Sequence, residues 1–320
     1  NKFMGYSAGD TILDDEYNVF VNSSSDPFGY NHFAGTGAGV YGLNQSSIST
    51  VSAGDAIAAS QWNALFTGMD NIANHTNVSI TASSVSAGDA IAIRSALVAN
   101  LASLAAAVAA GSVNATALDT AAVGSSTSAS TWNGTATIER SVTFANSATM
   151  RAFFNGGGSI RIDPSCVTGI DGLKDTVFND LTVTAIGNLD FGAHATTRSG
   201  SGETLTTNGL ANGFHDISTS YVTLIKLTSD NSGYTSNTVE IFAKLNAAPA
   251  TATVVTIKLL ATDADGDDTF TSGNTSSVPV NPNEAPKMVL ALIEEFPDDS
   301  QGLAADIRSA SNTQVSNSVS

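Results

Sequence analysis

The spacing of hydrophobic positions changes partway along this chain. In the first part, apolar residues recur every three or four positions, which is the period of one face of an α-helix. From Trp132 onward, apolar and polar residues alternate, which is the period of a strand with one buried face. The pattern predicts an α+β protein that is mostly β, with a small N-terminal helical region followed by a β-sandwich or jelly-roll-like domain.

Two apolar stripes dominate the helical region. The first stripe includes Trp62, Leu65 and Phe66. The second stripe lies on a predicted helix over 91–110 and has the alternating four- and three-residue spacing of a coiled-coil seam. That helix is rich in Ala and poor in charge, so we expect it to be covered, either within the fold or by another subunit. We predict that both stripes form an assembly interface, through Trp62, Leu65, Phe66, Leu97, Leu101, Leu104 and Val108.

A short motif, Ser-Ala-Gly-Asp-x-Ile, is followed each time by a segment with helical spacing. It occurs at 7–12, 52–57 and 86–91. Gly accepts positive φ and Asp can hydrogen-bond its own backbone, so the motif predicts a tight turn that leads into a helix. The intervals of 45 and 34 residues between copies are unequal. The motif therefore predicts three separate docking or packing elements rather than a regular solenoid.

Turn signals separate the alternating segments of the second part, as in a protein built from several short strands. The triple glycine at 156–158 lacks the Lys-Ser/Thr ending of a P-loop, so it is expected to be a backbone turn. A short helix is predicted at 147–154, and strands are predicted at 135–145, 159–162, 180–186, 189–193, 221–227, 238–244, 253–261 and 287–296.

Composition divides the chain into four predicted segments. Residues 1–123 form a helix-bearing assembly region, and the Ser- and Thr-rich residues 124–131 form a linker. Residues 132–297 form the β-rich domain. Residues 298–320 are polar and nearly free of aromatic side chains, so they are expected to be a tail or an arm laid on a partner.

The net charge of the chain and the distribution of its basic residues limit the kinds of partner that we expect. The 320 residues carry a net charge of −17, and only 13% of them are charged. The 12 Lys and Arg residues are scattered, whereas phosphate binding needs clustered bases, so no nucleic-acid partner is predicted. The stretch 91–110 contains Arg94, Ser95 and Asn100, so no membrane insertion is predicted. The single cysteine, Cys166, is expected to be a small core residue.

The sharpest candidate for chemistry is an acidic stretch that contains Asp263, Asp265 and Asp267. Alternate carboxylates can bind Ca²⁺, but the full EF-hand pattern is absent, so a structural calcium site and a solvated acidic loop both stay open. His75 has no second ligand at metal spacing and is expected to be a capping or surface side chain. Sequence patterns of known catalytic sites are missing, and we predict a non-enzymatic protein with no other cofactor.

Two stretches carry a resemblance. One is 51–65, Val-Ser-Ala-Gly-Asp-Ala-Ile-Ala-Ala-Ser-Gln-Trp-Asn-Ala-Leu, and the other is 152–162, Ala-Phe-Phe-Asn-Gly-Gly-Gly-Ser-Ile-Arg-Ile. They resemble segments of virion structural proteins of tailed bacteriophages, especially those that infect marine cyanobacteria. The resemblance implies a virion component of the neck, tail, baseplate or fibre, with copies of itself and other virion proteins as partners.

A fibre-tip adhesin is the alternative function. The segment 28–43 is rich in Gly and aromatic residues, and it is expected to be an ordered loop or an arm. Its Tyr30 and Tyr41 are the residues expected to contact a host-surface carbohydrate.

Overall fold

The structure is a computed structural model, and it describes residues 14–25, 28–34, 41–81, 83–87, 94–114, 118–168, 172–264, 285–297, 309 and 311–320. The described helices are α1 (Asp14–Asn22), α2 (Tyr30–Ala34), α3 (Ala59–Thr76), α4 (Arg94–Ala109), α5 (Ser147–Asn155) and α6 (Gly172–Asn179). The described strands are β1 (Leu118–Thr127), β2 (Thr135–Thr143), β3 (Ser159–Val167), β4 (Leu189–Phe191), β5 (Thr196–Arg198), β6 (Thr204–Asn208), β7 (Val222–Thr228), β8 (Thr238–Leu245), β9 (Val254–Thr262), β10 (Lys287–Pro297) and β11 (Ser311–Val319). The protein is α+β and mostly β, which confirms the predicted fold class.

The chain divides into two compact units that alternate along the sequence. The helical unit consists of Asn1–Asp119, Ala148–Gly158 and Phe296–Arg308. The β unit consists of Thr120–Ser147, Ser159–Glu295 and Ser309–Ser320. The division after residue 119 lies a few residues before the predicted linker, and the helical unit also takes in α5, which lies between two strands in sequence.

The described strands of the β unit form two antiparallel sheets in a sandwich-like arrangement. The five-stranded sheet has the order β1-β10-β3-β4-β5, and the six-stranded sheet has the order β11-β2-β9-β8-β7-β6. In β8, burial alternates strictly along the strand, as the period-two pattern predicts. The same alternation runs along most of β10. One face of each sheet therefore carries the apolar side chains of the core.

Two segments predicted to lack regular structure contain strands. The predicted linker 124–131 overlaps β1, and the predicted tail 298–320 contains β11, which pairs antiparallel with β2. Both strands lie at the edge of their sheet. An edge strand buries little, so its Ser-, Thr- and Asn-rich sequence shows no apolar alternation. The predictions of a linker and of a polar tail are therefore wrong for these strand residues.

The predicted strand at 180–186 is also wrong, because Asp180–Ile186 is a π-helical segment that continues α6. Leu181, Val183 and Ala185 imitate a strand pattern, but Val183 is 49% exposed. The segment contacts β3 of one sheet and both β7 and β8 of the other. Its buried residues instead follow helical spacing: Leu181, Thr182, Ala185 and Ile186.

The second copy of the repeated motif forms the predicted turn before a helix. Gly54 has φ +88°, and the backbone N–H of Asp55 donates a hydrogen bond to the carbonyl of Ser52 at 3.0 Å. Helix α3 then begins with the side chain of Gln61 accepting a bond from the backbone N–H of Ala58 at 2.7 Å. The first copy and most of the third lie outside the described residues.

Candidate functional site

The seven side chains predicted to form an assembly interface are core residues of the helical unit. Trp62, for example, packs edge-on against Tyr17 with ring centroids 5.1 Å apart. A side chain buried within its own unit leaves no apolar area for a partner, so this prediction is wrong. None of the seven is more than 2% exposed: Trp62, Leu65, Phe66, Leu97, Leu101, Leu104 and Val108.

Helix α4 is covered within the fold on the side that carries its Leu residues. Over residues 96–109, where the burial of α4 is described, the opposite side exposes only small side chains, namely those of Ala99, Ala102, Ser103 and Ala106. The fold therefore accounts for the predicted seam without a second subunit.

The stretch 152–158, here named the triglycine stretch, is a packing element of the helical unit. Asn155 Nδ2 donates a hydrogen bond to the carbonyl of Tyr41 at 2.8 Å. The carbonyl of Gly156 lies 2.6 Å from Nε2 of His75, which is fully buried. The expectation that His75 is a capping or surface side chain is wrong, because its ring holds α3 to the residue that follows α5.

Close contacts explain the glycines of the triglycine stretch. A Cβ atom at Gly156 would lie 2.7 Å from Cγ of Pro297, and one at Gly158 would lie 2.7 Å from the carbonyl of Phe153. Gly157 also has φ +86°, and a Cβ atom there would lie 2.7 Å from Cβ of Val113. The run is a tightly packed backbone turn, as the sequence predicts.

The aromatic segment that the sequence predicts to be a loop or an arm contains α2. Tyr30 is 2% exposed, and its hydroxyl donates to the carbonyl of Ser46 at 3.2 Å. Burial raises the pKa of Tyr30 to about 12. Tyr30 is thus a core residue, and the prediction that it contacts carbohydrate is wrong. Tyr41 is half-buried, with its ring 4.5 Å from that of His32, which stacks on Phe28 at 4.1 Å.

Of the three predicted calcium ligands, the structure describes Asp263 alone. Its Oδ2 lies 2.6 Å from Nζ of Lys174, and both side chains are buried. An ammonium group at that distance competes with a cation for the carboxylate. Asp265 and Asp267 lie outside the described residues, and within the described ones no three His, Cys, Asp or Glu side chains are grouped to hold a metal. The calcium site stays a prediction.

A charged cluster that sequence reasoning missed lies on one face of the five-stranded sheet. Arg161 Nε lies 3.2 Å from Asp163 Oδ1, and Arg161 Nη1 lies 3.7 Å from Glu295 Oε1. The strand register sets Asp190 directly opposite Arg161. Glu294, by contrast, is 3% exposed, so the adjacent pair Glu294 and Glu295 faces opposite sides of the strand, as expected.

Asp190 is the titratable centre of this cluster. Burial raises its pKa, the charge of Glu295 raises it further, and the Arg161 guanidinium opposes part of the rise. Its Oδ1 is buried without a hydrogen-bond partner among the described residues. Asp190 therefore binds a proton more tightly in the folded protein than an ordinary aspartate does.

A buried arginine joins an edge strand of one sheet to an edge strand of the other. Arg140 on β2 is 7% exposed, and its Nη1 donates to the carbonyl of Ser125 at 2.9 Å and to the hydroxyl of Ser126, both on β1. Its Nη2 donates to Oδ1 of Asn312 on β11. Burial lowers the pKa of Arg140. The sequence alone could have indicated that Arg140 is buried. In the alternating stretch 135–145, Arg140 occupies one of the positions that face the core.

An open cleft of about 360 Å³ lies at the C-terminal end of α3. Asn77, with φ 57°, ends the helix in a left-handed turn, and most of the lining residues lie close to it in sequence, in a stretch that carries no recognised binding motif. Carboxylate, amide and hydroxyl groups predominate, and such groups can hydrogen-bond to a sugar. The lining residues are Asp70, Ala73, Asn74, Asn77, Val78, Ser79, Ile80 and Asn114.

Comparisons with known proteins identify no relative. No protein-family model matches this chain, and searches of curated proteins and of solved structures find no match. Among the described helices, none has the length and apolar character needed to cross a bilayer. The class that the fold defines is an α+β, mostly β protein with a sandwich-like β unit. The function is inferred from the residues of the chain.

Proposed function

We propose that the protein is a non-enzymatic structural component of a tailed-phage virion, which assembles with copies of itself and with other virion proteins at the neck, tail, baseplate or fibre. The observation that carries the proposal is the packing of the triglycine stretch, which belongs to one of the two segments that resemble phage virion proteins. Asn155 and Gly156 hold Tyr41 and His75 within the helical unit. Such packing contacts within the unit are what we expect of a sequence motif that maintains a fold.

The other resembling segment, 51–65, has the same kind of use. It supplies the left-handed turn at Gly54 and the buried side chains of Trp62 and Leu65. Both segments thus contribute to the framework of one unit. A resemblance confined to framework residues supports the proposal that this protein shares its architecture with the virion proteins it resembles.

Quantitative mass spectrometry of purified particles tests the proposal, with the phage that encodes the protein as the source. We expect a fixed number of copies in each particle, and antibody labelling in the electron microscope at one position on the neck, tail, baseplate or fibre. A replication protein of the same phage is the purity control. If the protein is abundant in infected cells but absent from purified particles, the proposal is wrong.

A carbohydrate-binding adhesin is the second candidate, and the cleft at the end of α3 is the observation that favours it. Asp70 and Asn74 offer a carboxylate and an amide on an exposed helix face. Such groups can accept and donate the hydrogen bonds that sugar hydroxyls need. The cleft replaces Tyr30 as the proposed binding position, since Tyr30 is buried.

A glycan array tests the second candidate. The variants Asp70→Ala and Asn74→Ala are expected to lose most of the binding, because each removes hydrogen bonds from the cleft. Asp55→Ala is the matched control, since Asp55 is an exposed carboxylate that does not line the cleft. Tyr41→Ala tests the remaining aromatic position. An intact protein that binds no glycan, or cleft variants that bind like the control, would remove this candidate.

A further inference from the structure

The two outermost strands of the six-stranded sheet, β11 and β6, each have one unpaired edge among the described residues. Every residue of β6 is exposed, and β11 is exposed or half-buried throughout. Each strand also carries one exposed large hydrophobic side chain, Leu205 at 40% and Val315 at 55%. An unpaired edge presents N–H and C=O groups that another strand can bind.

We propose that β11 pairs antiparallel with β11 of a second copy, around a two-fold axis at Val315, so that the two six-stranded sheets become one continuous sheet. This pairing identifies the surface through which copies of the protein would assemble in the proposed function. It rests on that function, because a virion component is present in several copies.

Symmetry supports pairing of β11 with itself. The strand has nine residues, Ser311–Val319, and Val315 is its midpoint. A two-fold axis there sets Val315 against its own copy and buries the most exposed of the large hydrophobic side chains described. On either side of the axis, Gln314 would lie opposite Ser316, and Thr313 opposite Asn317.

Charge favours β11 over β6. The protein carries a net charge of −17, which opposes self-association. Every residue of β11 is uncharged, so no like charges meet across the proposed axis. Beside β6 lies Glu203, whose carboxylate accepts a hydrogen bond from the backbone N–H of Asp230 at 2.6 Å. Glu203 thus sets an acidic side chain directly before β6, whereas β11 contains no charged residue.

The fold holds β11 in place before any partner arrives. Asn312 accepts a hydrogen bond from Arg140, and Asn317 Nδ2 donates to the carbonyl of Thr127 at 2.7 Å. A strand that is already ordered loses little conformational entropy when it pairs.

A β-bulge marks the centre of the proposed contact. The register with β2 shifts between Gln314 and Ser316, so Val315 has no partner on β2. A bulge in an edge strand commonly obstructs pairing with an unrelated strand. Pairing around a two-fold axis sets one bulge against an identical bulge, so the two distortions match. An identical bulged strand is therefore the partner that we propose for this edge.

The size of the contact predicts its strength. A single pair of nine-residue strands buries less than the roughly 1,200 Å² of a standard stable interface. We expect a dimer that dissociates at low micromolar concentration and forms at hundreds of micromolar, a range that a crowded assembly reaches through multivalent contacts.

Disulfide trapping tests the geometry. Directly opposed strand residues lie within disulfide range, so Val315→Cys is expected to form an intermolecular disulfide. Cys166 is the single natural cysteine, it is half-buried, and burial with the charge of Asp175 raises its pKa to about 11, so it contributes little background. Val183→Cys is the matched control, an exposed position outside the strands. Equal trapping of both variants, or none of Val315→Cys, would overturn the proposal.

Analytical ultracentrifugation tests the energetics on the full chain. Val315→Lys sets two like charges opposite each other and is expected to weaken dimerisation at least tenfold, whereas Val315→Thr keeps a β-branched side chain and retains the dimer. Circular dichroism checks that each variant folds. If Leu205→Lys abolishes self-association and Val315→Lys does not, the β6 edge is the contact and the proposal is wrong.

These results separate the inference from the proposed function. A protein that stays monomeric at hundreds of micromolar, yet is found in purified particles, overturns the β11 pairing and leaves the virion role intact. Trapping through Val315→Cys in a protein that is absent from particles supports the pairing and removes the virion role.

Discussion

Nζ of Lys174 lies 2.6 Å from Oδ2 of Asp263, with 6% and 0% of the two side chains exposed. Both charges have lost their hydration, so their mutual attraction mainly offsets the free energy of desolvation. The pair is therefore a weak source of net stability as a whole, but each charge depends on the other. This dependence gives the first prediction.

Lys174→Met is expected to lower the free energy of unfolding by about 3–5 kcal/mol, because it leaves the Asp263 carboxylate buried beside an uncharged side chain. Lys226→Met is the matched control. Lys226 lies 2.7 Å from Glu240, but 30% of its side chain is exposed, so the expected loss is at most about 1 kcal/mol. Urea denaturation followed by circular dichroism measures both. Equal losses in the two variants would contradict the prediction.

The pH dependence of stability follows from Asp190. Its pKa in the folded protein is raised above the ordinary 3.8, so the folded protein binds this proton more tightly than the unfolded chain does. The resulting stability is fully present below the ordinary pKa and is lost as the pH rises through the raised pKa. Asp190→Asn is therefore expected to gain stability relative to the natural protein near neutral pH, and the gain should shrink on acidification.

Urea denaturation over a series of pH values measures the Asp190 effect. Asp70→Asn is the control, because Asp70 is an exposed carboxylate outside the charged cluster. A stability difference between Asp190→Asn and the natural protein that stays constant with pH would exclude Asp190 as the titrating group.

Gly124 is expected to resist replacement for two separable reasons. Its φ is +137°, and a Cβ atom there would lie 2.7 Å from Nη2 of Arg140. Gly124→Ala is therefore expected to lower the free energy of unfolding by about 1–3 kcal/mol through backbone strain, with a further loss from the contact. Gly233→Ala is the matched control, because Gly233 has φ +92° and no atom within 4 Å of such a Cβ.

A double-mutant cycle isolates the contact with Arg140. In an Arg140→Met background, which removes the guanidinium, Gly124→Ala should cost no more than Gly233→Ala does. Additive losses in the cycle would show that Arg140 and a side chain at position 124 do not interact.

Local patterns predicted the elements whose residues contact a buried layer. Alternation located β8 and β10, and helical spacing located α3 and α4. The same patterns failed at β11, whose polar sequence has little to bury, and at Asp180–Ile186, where alternation coincided with a helical segment.

The sites depended on topology and could not be read from neighbouring residues. Lys174 and Asp263 are 89 residues apart in sequence, and the residues next to Asp263 do not indicate that its partner is a lysine. Arg161 meets Asp190 only because β3 pairs with β4. The spacing of the helical stripes was recognised correctly, but spacing alone does not distinguish a core from an interface, and Trp62 belongs to the core.

Each of the two units is built from several segments that are interleaved along the chain, and this affects how the gene can recombine. Helix α5 belongs to the helical unit, although the strands before and after it belong to the β unit. A gene cut after residue 119 would separate His75 from the Gly156 carbonyl that it contacts. A single genetic crossover therefore cannot exchange one unit and leave the other whole. The two units are therefore expected to be inherited together whenever recombination involves a single crossover.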